Sequence, residues 1–342
     1  MFDEIAKRPA QAMRSPGKGF LIGHLTAGDT VMGQVAVVRR ELRETRAGKP
    51  YLSLLLSDRT GQIDAKDWDH AAEHEGVFEP GALVKIKAVV EEFNGALQLK
   101  IEKARVLKDG EYDLGDFIAV SDYDVDQMYA ALACVVAGVQ DAWIRRLLEM
   151  VLERYRDEWL RAPAAMRIHH AFAGGLLEHV LSMCRAALAL CTHYTRLDRD
   201  VLIAGCILHD IGKMRELELG VSVTATTAGK LVGHIGEGLI MLEDCCRAID
   251  GFPEQTRLLL RHMIASHHGS MEYGALKLPM TPEAIALSAL DDLDFRLECA
   301  FRLIDEGDED FSPWHRQLER EIYRVRREPS VSAGPGPDAA AE

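Results

Sequence analysis

The hydrophobic pattern changes its period near residue 120, and that change forces two unlike architectures into one chain. From Val31 to Leu107 the apolar residues fall in short β-rich runs: VMGQVAVVRREL, PYLSLLLS, GQIDAKDW, ALVKIKAVVEE and ALQLKIEKARVL. Turn signals AGKP, DRTG and FNG separate them, and a longer gap runs from His70 to Gly81. Five strands in 77 residues, with room for a helix in that gap, predict a small Greek-key barrel of the OB type. A five-stranded barrel with no ligand fits the same pattern. From Asp122 onward the period is helical, as in MYAALACVVAGV and WIRRLLEMVLERY. Further helices are expected over 172–194, 198–210, 231–249, 254–266, 281–305 and 311–326. The expected fold class is therefore multidomain β + α, an N-terminal five-stranded OB-type barrel followed by an all-α domain. The expected division is a flexible lead-in 1–19, a barrel 20–110, a helical linker 111–160, a helical domain 161–327 and a disordered Pro- and Gly-rich tail 328–342.

Composition narrows the function. With 48% hydrophobic and 27% charged residues the chain is of ordinary globular type, not a disordered one. A net charge of -14, from 40 basic and 54 acidic residues, argues against coating nucleic acid by bulk charge. The barrel segment is the exception, because Val31 to Leu107 holds 12 bases against 12 acids. Tyr51, Trp68 and Phe93 are interleaved with those bases, Lys66 among them. Aromatic faces beside bases hold single strands, so Tyr51, Lys66 and Trp68 are candidate substrate contacts. The alternative is that Tyr51 and Trp68 belong to the barrel core. Seven cysteines without a CxxC read as reduced thiols. The longest apolar run, Ala130 to Val139, is shorter than the roughly 20 residues a bilayer span needs. The N-terminal MFDEIAKRPA lacks the apolar stretch of a secretory signal. Together these predict a cytoplasmic protein with no membrane partner.

The histidines are clustered. Nine of 13 lie between His169 and His268, where an even spread over 342 residues would leave about four. The sharpest local feature is LIAGCILHDIGK, in which an apolar helix ends in His209-Asp210 and Gly212 breaks it. A buried imidazole beside a buried carboxylate is costly unless both have a partner. A transition-metal ion satisfies both, the nitrogen and the hard oxygen together suiting Mn, Fe, Co, Ni or Zn better than Ca. Four further segments carry candidate ligands on or beside apolar helices: GGLLEH ending in His179, GKLVGH ending in His234, ASHHG with His267 and His268, and LSALDDLD with Asp291.

In this order, H…HD…D, the sequence resembles the HD-domain metal-dependent phosphohydrolases. HHAFAGGLLEH, AGCILHDIGK, GKLVGHI, SHHG and the barrel segment GKPYLSLLLSDRTGQIDAKDWD more closely resemble the OB–HD 3′–5′ exoribonucleases of the YhaM type. The resemblance runs over about residues 20 to 325 in the same domain order. It implies an OB-fold nucleic-acid-binding domain, an HD domain and two divalent metal ions, Mn²⁺ expected and Fe, Co or Ni alternatives. His179, His209, Asp210 and Asp291 would hold one ion. Asp210, His234 and His267 would hold the other, with Asp210 bridging. His268 would be a ligand or a substrate contact, Lys213 a catalytic cation beside phosphate oxygens, and His169 and His170 substrate contacts. One departure stands out. The family often has a histidine three residues before the last ligand, and here that position is Ser288.

The implied reaction is hydrolysis of single-stranded RNA, or DNA, to nucleoside 5′-monophosphates by a metal-activated water. Two other readings remain open at this point. One is an HD-type nucleotide or cyclic-nucleotide phosphohydrolase with an accessory barrel. The other is a nucleic-acid-binding protein whose helical domain only scaffolds. A homo-oligomer built through the helices before His169 is also compatible with the pattern.

Overall fold

The structure is a computed structural model that describes residue 5 and residues 18–93, 95–118, 121, 123–166, 172–220, 223–305, 307 and 309–324. The lead-in (apart from residues 5, 18 and 19), His169, His170 and the tail lie outside the described residues.

Strands β1 (Thr30–Glu44), β2 (Pro50–Asp58), β3 (Gly61–Asp67), β4 (Leu83–Phe93) and β5 (Ala96–Val106) close into a barrel in the order β1-β2-β3-β5-β4. Helix α1 (Ala71–His74) fills the gap between β3 and β4. The OB-type barrel expected from the strand pattern is thus present. Every junction is antiparallel except β3 with β5, which pair in parallel from Asp64↔Gln98 to Lys66↔Lys100 and seal the barrel. The alternation of the sequence sets the register. Leu52, Leu54 and Leu56 point inward from β2 and meet Val35, Val37, Ile86, Val90 and Leu99, all essentially without solvent exposure. Each such buried side chain contributes about 1.5–3 kcal/mol, and a one-residue slip would turn the whole set outward. A bulge between Val37 and Arg39 bends β1, which pairs with both β2 and β4.

Lys18 is buried at the barrel's edge. Its Nζ lies 3.3 Å from Asp58 Oδ2 and 4.8 Å from the Phe117 ring centroid. Burial pulls the ammonium pKa down, against the opposing pull of Asp58 and Asp116. The residues just before the first strand are therefore pinned.

The helical part starts with α2 (Val125–Ala137), α3 (Ala142–Arg154) and α4 (Arg156–Arg161), followed by α5 (Gly175–His193) and α6 (Arg199–Leu208). Asp124, Asp141 and Asp198 cap α2, α3 and α6, each accepting two backbone N–H bonds in the first turn. Asp200 Oδ2 accepts from the N–H groups of Gln140 and Asp141, which ties the start of α6 to the start of α3. Then come α7 (Lys213–Glu216), the hairpin β6 (Leu217–Leu219) with β7 (Val223–Ala225), α8 (Thr227–Leu231), α9 (Gly233–Arg247), α10 (Glu254–Ser266) and α11 (Pro282–Asp305). Helix α6 is buried on every side from Asp200 to Leu208, so it is the axis of this core. Helix α5 is long and apolar enough to cross a bilayer, with mean hydropathy 1.2 over its apolar window. Half of that window is buried in the fold, where Leu176, Leu177, Val180 and Met183 join the helical core.

The chain divides into two compact units, Met1–Asp292 and Leu293–Glu342, at a point inside α11. In the second unit the helix expected over 311–326 is not formed. The described residues there hold two isolated antiparallel bridges, Phe311↔Tyr323 and His315↔Arg320. The cause is local. Pro313 disfavours helical backbone at Ser312, whose Oγ instead accepts from Ile322 N–H at 2.9 Å. Glu319 takes a left-handed φ of 53°. The Arg324 guanidinium donates to the carbonyls of Leu303, Glu309 and Phe311 and holds the turn closed.

Candidate metal centre

Five helices deliver the candidate ligands to one place. His179 comes from the buried face of α5. His209 and Asp210 follow the end of α6, and His267 and His268 follow the end of α10. His234 is the second residue of α9, and Asp291 lies on α11. Two helix C-termini, those of α6 and α10, therefore point their partial negative charge at the cluster, which favours a cation. Close packing at Gly212 makes the arrangement possible. A Cβ there would sit 1.9 Å from the His234 carbonyl oxygen and 2.6 Å from Gly238 N, so only glycine lets α9 approach the turn.

Hydrogen bonds orient the imidazoles. His209 Nδ1 lies 3.0 Å from the Cys206 carbonyl, and His267 Nδ1 lies 2.8 Å from the Ile264 carbonyl. His234 Nδ1 lies 3.0 Å from Glu216 Oε2, and His268 Nδ1 lies 2.6 Å from the Tyr273 carbonyl. Each partner accepts a hydrogen bond from Nδ1–H, which assigns the tautomer and leaves the Nε2 lone pair facing the cluster.

The ligand atoms fall into two groups on either side of Asp210. His179 Nε2 is 3.2 Å from His209 Nε2 and 3.5 Å from Asp291 Oδ1. Asp210 Oδ2 lies 3.8 and 3.4 Å from those two imidazole nitrogens. Asp210 Oδ1 lies 3.6 Å from both His234 Nε2 and His267 Nε2. His234 Nε2 is in turn 3.2 Å from His268 Nε2. His179, His209 and Asp291, and separately His234, His267 and His268, form groups able to hold an ion.

Fit to a cation shows in what these atoms lack. Asp210 Oδ1 and His267 Nε2 are buried without a hydrogen-bond partner. Buried polar atoms are seldom left so, and both face the same point. Burial raises the Asp210 pKa, but Lys213, His209 and His234 together hold it well below the carboxylate range. Asp291 is likewise lowered against its burial, by its hydrogen bond with His179 and its electrostatic attraction to the His209 ring. Burial pushes His267 down to about 3, with His209 adding to it, so the ring is neutral at pH 7. Lys213 Nζ sits 2.5 Å from Asp210 Oδ2, and that carboxylate keeps the ammonium charged against its burial.

The His267 shift has a consequence for the metal-free protein. The folded ring refuses a proton that the unfolded ring accepts near pH 6.5. Folding stability is therefore full above pH 6.5 and declines as pH falls toward 3. Thermal melts of chelator-treated protein should show a loss of about 2 kcal/mol between pH 6.5 and 5 from this ring. His267→Gln should flatten the slope, and an unchanged slope would remove His267 from the account.

Glu216, at the end of α7, is the residue that the sequence reading missed. Burial raises its pKa, but the hydrogen bond from His234 prevails and holds it ionised. A carboxylate behind a ligating imidazole typically contributes 10–100-fold in metal affinity. Glu216→Gln should accordingly weaken divalent-metal binding by about that factor, as measured by competition with a fluorescent chelator.

On the barrel, Tyr51 and Trp68 are half-buried and outside the core. Their rings stack at 4.4 Å with an interplanar angle of 28°. Lys66 Nζ donates to Ser53 Oγ at 2.7 Å on the same β2–β3 face. Ser288, three residues before Asp291, backs onto Gly269. A Cβ on that glycine would lie 2.4 Å from the serine Oγ.

Residues 176–296 match the HD domain family, and residues 30–107 match an OB-fold nucleic acid binding domain. Fold and site together define a divalent-metal-dependent HD-class hydrolase that carries a nucleic-acid-binding barrel. Among curated relatives, 3′-5′ exoribonuclease YhaM of Geobacillus sp. (strain WCH70) is 37% identical over 76% of this chain and 80% of its own length. YhaM of Shouchella clausii is 35% identical over 83% and 89%, and that of Bacillus subtilis is 35% identical over 75% and 82%. The chain belongs to the YhaM family of 3′-5′ exoribonucleases.

Proposed function

We propose that the chain degrades single-stranded RNA from its 3′ end by metal-dependent hydrolysis and releases nucleoside 5′-monophosphates. The observation that carries this reading is the Asp210 carboxylate, with one oxygen toward His179 and His209 and the other toward His234 and His267. A shared carboxylate between two imidazole groups suits two divalent ions, and we assign Mn²⁺ as the working metal, with Fe, Co or Ni as alternatives. His179, His209, Asp210 and Asp291 would hold one ion and Asp210, His234 and His267 the other, with His268 beside the second. Such ions supply Lewis acidity toward phosphoryl oxygens and lower the pKa of a bound water.

The remaining work falls to the chain. Lys213, kept charged by Asp210, presents a fixed ammonium to developing negative charge on phosphate. Glu216 orients the His234 ring. Tyr51 and Trp68 offer a stacking platform, and Lys66 a cation, to the strand held by the 20–110 barrel, while 161–327 forms the hydrolytic domain. We place the protein in the cytoplasm, in keeping with five of its seven cysteines being buried and all of them free. A small-molecule nucleotide phosphohydrolase is disfavoured, because the aligned exoribonucleases match three quarters of the chain or more.

The test is a time course on 5′-labelled single-stranded RNA with added Mn²⁺. A ladder shortening from the 3′ end, with mononucleotide product, is expected. Intact RNA alongside hydrolysis of free nucleotides would replace this reading with the small-molecule one.

A further inference from the structure

The barrel carries a cluster of its own. Asp67, the last residue of β3, is fully buried, and His74 is nearly so. His70 caps the start of α1 and His74 ends it, so the two rings stand four residues apart on one side of a turn. His74 Nδ1 is 2.6 Å from Asp67 Oδ2, and His70 Nδ1 is 3.7 Å from Asp67 Oδ1. All three ligand atoms lie within 4.8 Å of one another. The ring centroids are 5.3 Å apart.

The hydrogen-bond inventory leaves one atom over. Asp67 Oδ1 accepts from the backbone N–H groups of His70 at 3.0 Å and Asp69 at 3.4 Å, and Oδ2 is matched with His74. His70 Nδ1 is buried and has no hydrogen-bond partner, although the ring as a whole is 41% exposed. At 3.7 Å it is too far from the carboxylate for a hydrogen bond. A buried ring nitrogen aimed at a buried carboxylate, with a second ring nitrogen alongside, is a coordination shell short of its centre.

We propose that Asp67, His70 and His74 bind a zinc-class divalent cation. Two imidazole nitrogens and one carboxylate oxygen are a zinc donor set with a fourth position for water, and the exposed side of His70 gives water access. Ca²⁺ and Mg²⁺ are excluded by the single carboxylate, since both need oxygen-rich shells. Binding at His74 Nδ1 moves the ring proton that faces Asp67 to Nε2, so the imidazole ligates in its neutral form. The site shares no residue with the helical centre and does not depend on the exonuclease reading. Its place in the chain matters, because Trp68 directly follows Asp67 and stacks on Tyr51. An ion here fixes the end of the strand that carries that platform.

The experiment uses the full chain dialysed against Zn²⁺ or Co²⁺, with metal content measured for the wild type, His70→Ala, His70→Cys and Asp210→Asn. His70 is partly exposed, so its replacement spares the barrel core. His70→Ala is expected to hold one equivalent less than the wild type and to lose the visible absorption of four-coordinate Co²⁺. Asp210→Asn should keep that absorption, which separates this site from the helical centre. His70→Cys should restore the equivalent and add a thiolate–cobalt band. Equal metal content in the wild type and His70→Ala, or a His70→Cys protein without the band, overturns the proposal.

Discussion

Asp210→Asn should lower kcat on single-stranded RNA by about 10²–10³-fold or more, and excess Mn²⁺ should not rescue it. The substitution keeps the shape of the side chain and removes the charge that faces both imidazole groups. It also strips Lys213 of its partner. Asp210 is 2% exposed and the Lys213 ammonium sits 2.5 Å from it, so the variant leaves a largely buried cation without its nearest counter-charge, with only Asp291 and Glu216 still acting on it. Breaking such a pair costs about 3–5 kcal/mol, which makes a thermal melt the necessary companion measurement. The double variant Asp210→Asn/Lys213→Met removes the stranded charge. If stability returns with Lys213→Met but activity and metal content stay low, the carboxylate acts in the site and not merely in the fold. Near-normal turnover in a folded Asp210→Asn protein would sink the assignment of Asp210 as the shared ligand.

Trp68→Ala should weaken single-stranded RNA binding by about 1–3 kcal/mol, the usual value of one base–aromatic stack. At 25 °C that is roughly a 5- to 150-fold rise in Kd. Fluorescence anisotropy with a labelled oligonucleotide on metal-free protein measures it without turnover. Trp68 is half-buried and outside the barrel core, so the fold should tolerate the change. Because the Tyr51 and Trp68 rings stack on each other, the pair of substitutions should cost less than the sum of the two. A dinucleotide should be cleaved at an unchanged rate. Unaltered oligonucleotide affinity in Trp68→Ala would move the RNA path off the β2–β3 face.

The sequence exposed most of this organisation, and for definite reasons. Leu52, Leu54 and Leu56 lie two residues apart within a short apolar run bounded by turn signals, the mark of a strand, and the intervening Ser53 and half-buried Leu55 show which face turns inward. His209-Asp210 ends an apolar helix, and that helix is buried all round, so the polar pair had to meet a partner. The division of the ligands about Asp210 came from the family resemblance, since spacing along the chain carries no information on which oxygen faces which ring. Glu216 escaped because its position depends on the three-residue strands β6 and β7, too short to show a period. The region 311–326 was misread because apolar spacing there suits a helix, while Pro313 and the carbonyl contacts of Arg324 impose a turn. The Asp67, His70 and His74 cluster leaves no mark in the sequence, because Asp67 ends a strand while the two histidines flank the short helix after it.

Gly212 sets a limit on how this centre can change over evolutionary time. The turn that bears Asp210 touches the first two turns of α9 backbone to backbone, at His234 and Gly238. The two ligand groups are therefore geared together. A substitution that shifts α9 to suit a larger or smaller ion must drag the HD turn along, and no side chain at 212 can act as a spacer. Adaptation to a different metal supply is thus closed at the turn itself. It has to proceed through side chains outside the turn, such as Glu216 at His234 or Ser288 beside Gly269.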